Sequence, residues 1–172
     1  LWIENFKGIG KRQHIPIRPV TLLFGANSAG KSTVLHAMLY LRELLCRKNV
    51  DARESLAGAD TINLGGFDAL LHDGTDCISL GCGFSVAEER LDELLPSANS
   101  NFLQRVIRPD IYKRIESLRE DVGNRHHHVT VNLCVNRCGQ GRPTVSRVEV
   151  NVDQERLALF DMNDDQSPNV LR

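Results

Sequence analysis

Eight consecutive residues carry most of the chemistry legible in this chain: Gly25-Ala26-Asn27-Ser28-Ala29-Gly30-Lys31-Ser32, followed by Thr33. Glycines at both ends of a run of small residues let the backbone wrap closely around a bound group. Successive N–H groups in such a loop point inward and make an anion nest. An apolar-periodic segment opens at Lys31, so the positive end of a helix adds to that nest. Lys31 is spaced to reach the terminal phosphates of a nucleotide. Ser32 offers a hard hydroxyl ligand for Mg²⁺, and Thr33 a hydrogen bond to the α-phosphate. The expected chemistry is recognition of a nucleoside triphosphate with Mg²⁺.

The elements around this loop must hold it in place. Residues 20–24, VTLLF, are continuously apolar and β-prone, which predicts a strand buried on both faces. Residues 31 to about 48 repeat Val34, Leu35, Met38, Leu41 and Leu45 at helical spacing. Upstream, residues 1–6 alternate as a strand and Lys7–Lys11 form a glycine-marked turn. Residues 13–18 read as an edge strand, because Pro16 cannot donate to a ladder. Downstream, 50–60 reads as loop or short helix, 61–72 as a glycine break before a short apolar stretch, and 76–86 as a strand. Residues 87–122 carry helical spacing bounded by Pro96 and Pro109. Segments 128–136 and 144–152 alternate strongly about the turn CGQGRP, and ERLALFDM adds a third strand to this antiparallel meander. The tail from Asn163 reads as loose.

Bulk properties exclude several classes. The chain has 172 residues, 41% hydrophobic, 25% charged, with net charge −1. That suits one soluble domain and makes no global case for nucleic-acid or membrane binding. No apolar run approaches a membrane span, and no signal peptide is visible, so a cytoplasmic location is expected. The first residue is not Met, which suggests a piece of a longer chain. The five cysteines are irregularly spaced. Neither Cys77/Cys82 nor Cys134/Cys138 has the two-residue spacing of a zinc knuckle, so they read as free thiols. His126-His127-His128 reads as an exposed strand start, since strand neighbours face opposite ways.

The stretches LWIENFKG, IPI and PVTLLFGANSAGKSTVLHA resemble the amino-terminal lobe of an SMC-like, ABC-type ATPase. More narrowly they resemble AAA-labelled ATPases related to OLD-family nucleases and to prokaryotic anti-phage systems. LGGFDALLHDG is similar to a segment many of these carry after the first helix. The resemblance is specific over residues 1 to about 45, suggestive over 61–86 and absent afterwards. It implies an α/β P-loop NTPase head, present here as its N-terminal lobe. The domain reading is a single lobe over 1–172: strand pair, phosphate loop and first helix in 1–48, a loop and helical region in 49–125, and the meander in 126–162.

The resemblance also implies ATP held by Gly25 to Thr33, and Asn5, Phe6 and Lys7 on the base and ribose side. Asn5 and Lys7 also read as an ordinary solvated strand end. It implies two heads that sandwich ATP as a dimer and drive a nucleic-acid-directed effector or nuclease subunit, in anti-phage defence. Such heads need an acidic strand ending in Asp-Glu, a signature loop and a switch histidine. Here LALFDMNDD is the sole candidate strand, but Met162 follows Asp161 where the base would stand, and it reads as the end of the meander. Gln104 and Gln140 sit in poor contexts for sensing a γ-phosphate. His72-Asp73 and Asp76 read as solvated loop charges. Arg105, Arg108, Lys113, Arg114 and Arg119 read as a solvated helix face diluted by Glu116, Glu120 and Asp121. Two functions therefore stand: an ATPase completed by a missing lobe or partner, or a nucleotide-sensing assembly module with little hydrolysis. A small P-loop kinase is disfavoured by the unbroken meander and the missing lid.

Overall fold

The computed structural model describes residues 1–27, 29–87, 126–137, 141–162 and 168–170. Alternation of apolar and polar residues builds a seven-stranded sheet in which every neighbouring pair is antiparallel. Its strands are β1 (Trp2–Glu4), β2 (Gln13–His14), β5 (Cys77–Ala87), β6 (His126–Arg137), β7 (Pro143–Val152), β8 (Glu155–Met162) and β9 (Pro168–Val170). They lie in the order β2-β1-β5-β6-β7-β8-β9. A separate hairpin pairs β3 (Glu54–Ala57) with β4 (Asp60–Asn63). Helix α1 (Lys31–Arg42) runs on into a π-helical turn at Glu43–Arg47, and α2 is the short Phe67–Leu70. The chain is thus an α/β fold with an antiparallel sheet.

Register decides which face each residue serves. Ile3 stands opposite Leu80, Leu80 opposite Leu133, and Leu133 opposite Val148. This row faces the core with Phe6, Ala37, Tyr40, Leu41, Leu44, Phe67 and Leu70 from the turn and the two helices. The adjacent row, Glu4, Ser79, Cys134 and Arg147, lies on the opposite, polar face. The β7–β8 hairpin turns on Asp153 and Gln154, both at positive φ (50° and 72°), the geometry of a two-residue type I′ turn.

Several expectations are corrected. Residues 20–24 form no strand, and Val20, Leu22 and Phe24 are 78%, 70% and 85% exposed. A strand buried on both faces needs a paired neighbour on each side. Among the described residues no strand of the sheet pairs with this segment. On α1 the inward stripe is Val34, Ala37, Tyr40 and Leu41, while Leu35, Met38 and Leu45 point outward. Only residues 13–14 of the expected 13–18 strand pair. Residues 54–63 are a hairpin rather than loop or helix, and Pro168–Val170 of the tail pairs with β8. His127 is buried, its Nδ1 2.6 Å from Asp153 Oδ2. The helices expected over 87–122, their basic residues, Gln104, Gln140 and the CGQ of the glycine turn lie outside the described residues.

Candidate functional site

Gly30 sets the start of α1. It adopts φ 88°, ψ 7°, a left-handed conformation that halts the preceding loop, and its carbonyl accepts the first helical bond from Val34 N–H at 3.3 Å. No side chain caps this end. The N–H groups of Lys31, Ser32 and Thr33 precede the first helical hydrogen bond and are left for another partner. An anion is the group such an end is suited to receive. Ahead of the helix, Ala29 N–H donates to Ala26 C=O at 3.2 Å, which folds the loop back on itself. Lys31 closes the fold: its Nζ donates to the carbonyls of Gly25 and Ala26 at 2.8 and 2.6 Å. The ammonium is thus parked on the loop that it would serve.

The hollow in front of this loop has a volume of about 660 Å³ and is lined by Asn27, Ala29, Gly30, Lys31, Ser32, Thr33 and Val34, with Gly8 and Ile9 opposite. Ser28 lies outside the described residues. Among the residues expected at the site, Gly25 and Ala26 act through their carbonyls, and Asn27 and Ala29 to Thr33 line the hollow directly.

The β1 turn behaves less simply. Phe6 is fully buried and stacks on Tyr40 at 6.2 Å between ring centroids, so it supports the wall from behind and has no surface left for a ligand. Asn5 sends its amide to Cys77 Sγ at 3.6 Å, away from the loop. Lys7 Nζ lies 2.8 Å from His36 Nδ1 on α1. Burial lowers the Lys7 pKa. Burial and the Lys7 charge lower that of His36, which keeps the imidazole neutral as the acceptor. The turn is held by its backbone: Phe6 N–H and Ile9 N–H exchange bonds with each other's carbonyls at 2.8 and 2.9 Å, and Lys7 N–H donates to Leu70 C=O at 2.7 Å. His72, read from sequence as a solvated loop residue, instead places its Nδ1 2.6 Å from Lys7 C=O. Asp73 and Asp76 are exposed, as expected for loop charges.

Mg²⁺ is the second implied ligand. Among the described residues no three His, Cys, Asp or Glu side chains are grouped to hold a metal. Among the described residues no carboxylate lines the loop hollow. The residues present therefore suit a cation carried in on phosphate oxygens, with the Ser32 hydroxyl as the protein's own ligand. Asp161 stands opposite Arg147 near the end of β8, in the third strand of the meander as expected.

Three features escaped the sequence. His36 was hidden inside the helical repeat. Glu43 is 1% exposed, accepts from Ser55 Oγ at 2.6 Å, and faces Arg47 and Arg42 at 3.3 and 3.6 Å. A larger hollow of about 780 Å³, bounded by Trp2, Ile17, Met38, Leu45 and Phe84, is mostly apolar and includes no residue of the 25–33 loop. No helix among the described residues is long and apolar enough to cross a membrane. In comparisons with family models, curated proteins and solved structures, nothing matched this chain.

Proposed function

We propose that this chain is the nucleotide-binding lobe of a P-loop ATPase of the ABC/SMC-like kind, with Gly25 to Thr33 as the cradle for the phosphates of ATP·Mg²⁺. The observation that carries this reading is the uncapped start of α1, with Gly30 in a left-handed conformation and Lys31 folded onto its own loop beside an open hollow. On binding, Lys31 exchanges two carbonyl partners for phosphate oxygens, the N–H groups at the helix start receive the anion, and Ser32 turns its hydroxyl to the metal. By the same reading two copies close around ATP and gate a nucleic-acid-directed effector in the cytoplasm, with anti-phage defence as the setting that the resemblance suggests.

A second reading, a nucleotide sensor that hydrolyses little, is favoured for the chain by itself by one observation. Among the described residues no carboxylate lines the hollow to orient an attacking water. Turnover then depends on an acid supplied from elsewhere.

The test is Lys31→Ala against wild type, with a fluorescent ATP analogue and Mg²⁺ and with molecular mass followed by light scattering. The variant is expected to lose binding by at least about tenfold, as for a charge-assisted hydrogen bond of ~1.5–3 kcal/mol, with its melting temperature unchanged. Unchanged affinity would overturn the assignment of the loop. A wild-type mass that ignores ATP would overturn the sandwich.

A further inference from the structure

Spacing along the chain groups Cys77 with Cys82 and Cys134 with Cys138, but the sheet groups them otherwise. In the β5–β6 ladder Cys77 stands opposite Asn136, and Ser79 opposite Cys134. Residues two apart share a face. Cys77 and Cys134 are therefore diagonal neighbours on the polar face. Cys134 Sγ donates to Oδ1 of Asn136, the residue that stands opposite Cys77, at 3.2 Å. Both cysteines are half-buried and free, and both line a concavity of about 500 Å³ shared with Asn5, Arg12 and Arg147.

Cys77 also has a structural task. Its sulfur accepts the Asn5 amide proton, and Asn5 holds a positive φ of 55° at the root of the β1 turn. The Asn5 backbone is tied on both sides, its N–H to Gly10 C=O at 3.2 Å and its C=O to His72 N–H at 3.1 Å. Gly8 and Ile9, carried by the same turn, form the wall facing the phosphate loop.

We propose that Cys77 and Cys134 are an oxidisable dithiol, closed to a disulfide by hydrogen peroxide, and that closure loosens the wall of the phosphate hollow through Asn5. The second half rests on the nucleotide-binding reading above. The Cys77 sulfur attacks a peroxide oxygen, the O–O bond breaks, and a sulfenic acid and one water result. The Cys134 sulfur then attacks the sulfenic sulfur, the S–O bond breaks, and its thiol proton leaves with the hydroxide as a second water. The two sulfurs are oxidised and the two peroxide oxygens reduced. Burial pushes the Cys134 thiol up, which suits it to the resolving role. Diagonal partners in a ladder have Cα atoms about 7–8 Å apart, beyond what a disulfide spans without backbone movement. Closure therefore draws β5 and β6 together locally and takes the Cys77 sulfur from Asn5. A bond strained in this way is readily reduced again.

The experiment treats the reduced chain with stoichiometric hydrogen peroxide, maps the cross-links by peptide mass, and measures fluorescent ATP analogue affinity before and after dithiothreitol. The expected product is a Cys77–Cys134 linkage, with affinity weakened by about fivefold, the equivalent of one lost hydrogen bond, and restored on reduction. Cys134→Ser should abolish linkage and affinity change together while leaving reduced affinity as in wild type. If Cys77→Ser misfolds, Cys134→Ser still decides the matter. No linkage, or linkage through Cys46, Cys82 or Cys138 instead, would overturn the dithiol. Linkage without an affinity change would overturn the coupling to the wall. A wild type that binds no nucleotide would remove the binding reading and the coupling, while the peptide map would still decide the dithiol.

Discussion

Gly30→Ala separates the fold from the site. An added Cβ at Gly30 meets nothing within 4 Å, so the change brings no clash with the protein. What remains is the backbone. At φ 88°, ψ 7° a non-glycine residue pays the left-handed penalty, ~1–2 kcal/mol. Lower chain entropy in the unfolded state returns part of this, ~0.4–1 kcal/mol. The net loss is then about 1 kcal/mol, a melting temperature lower by roughly 2–4 °C for a domain of this size. Gly30 also lines the loop hollow, at the uncapped helix start where the phosphates are proposed to sit. The methyl group there should weaken ATP·Mg²⁺ by more than tenfold, over ~1.4 kcal/mol, a larger effect than the stability change. Differential scanning fluorimetry and analogue titration on the same preparation read both quantities. Wild-type affinity with the expected small loss of stability would refute the phosphate cradle. A collapse in melting temperature would refute the backbone accounting.

Two further perturbations test the frame around the loop. Glu43→Gln should destabilise by about 1–3 kcal/mol, because it removes a charge-assisted bond from Ser55 and leaves two arginines facing a neutral amide. Relief of a buried carboxylate opposes this, and Glu43 Oε2 has no partner. A chemical-denaturation midpoint at or above wild type would mean that desolvation wins. Asp153→Asn should cost about 1 kcal/mol through the buried His127 contact. Burial would raise the Asp153 pKa, but the bonds from His127 and from the His128 N–H outweigh it and hold it below the usual carboxylate range. Its stabilisation is present above the unfolded value near pH 4 and is lost as pH falls through the lower folded value. The gap between wild type and variant should therefore close as pH falls below about 5; a gap that widens in acid would refute the stabilising role of the carboxylate.

Legibility followed range. Period-two alternation over β5 to β8 showed through because each strand carries its own signal and its partner is next in the sheet. The turn into α1 showed through because Gly30 and the helical spacing after it are local signals. The β3–β4 hairpin did not, since ESLA and DTIN are too short and polar to stand out, and its two-residue turn at Gly58-Ala59 carries only the φ of 67° at Gly58. The helix itself was legible, but spacing alone did not say which of its apolar residues face the core, since Leu35, Met38 and Leu45 recur at the same intervals as Val34 and Leu41 and yet are exposed. Asn5 and Phe6 stand away from the hollow for a topological reason. β1 lies between β2 and β5, so the side chains around its end divide between the core and the polar face, and among the described residues of this turn it is Gly8 and Ile9 that line the hollow.

The exposed segment ahead of the loop links these strands of argument. Val20, Leu22 and Phe24 stand in water, with Leu35 and Met38 exposed on the helix that follows. Burying an apolar side chain of this kind contributes ~1.5–3 kcal/mol, so the first three alone represent about 5–9 kcal/mol, comparable with the whole stability of a domain. An apolar surface of that size marks a place where further structure packs. It also bears on the site. Gly25 and Ala26 receive the Lys31 ammonium immediately after Phe24, so the loop is anchored on its helix side by α1, while among the described residues no strand pairs with the segment that leads into it. A loop fixed at one end loses more freedom when it closes on an anion than a loop fixed at both, and that cost is subtracted from affinity. Nucleotide binding and the covering of residues 20–24 are thus expected to strengthen one another. Hydrogen exchange at Thr21 to Phe24 reports the coupling directly. ATP·Mg²⁺ should slow exchange there as well as at Lys31 to Thr33, and protection confined to the helix start would show the two to be independent.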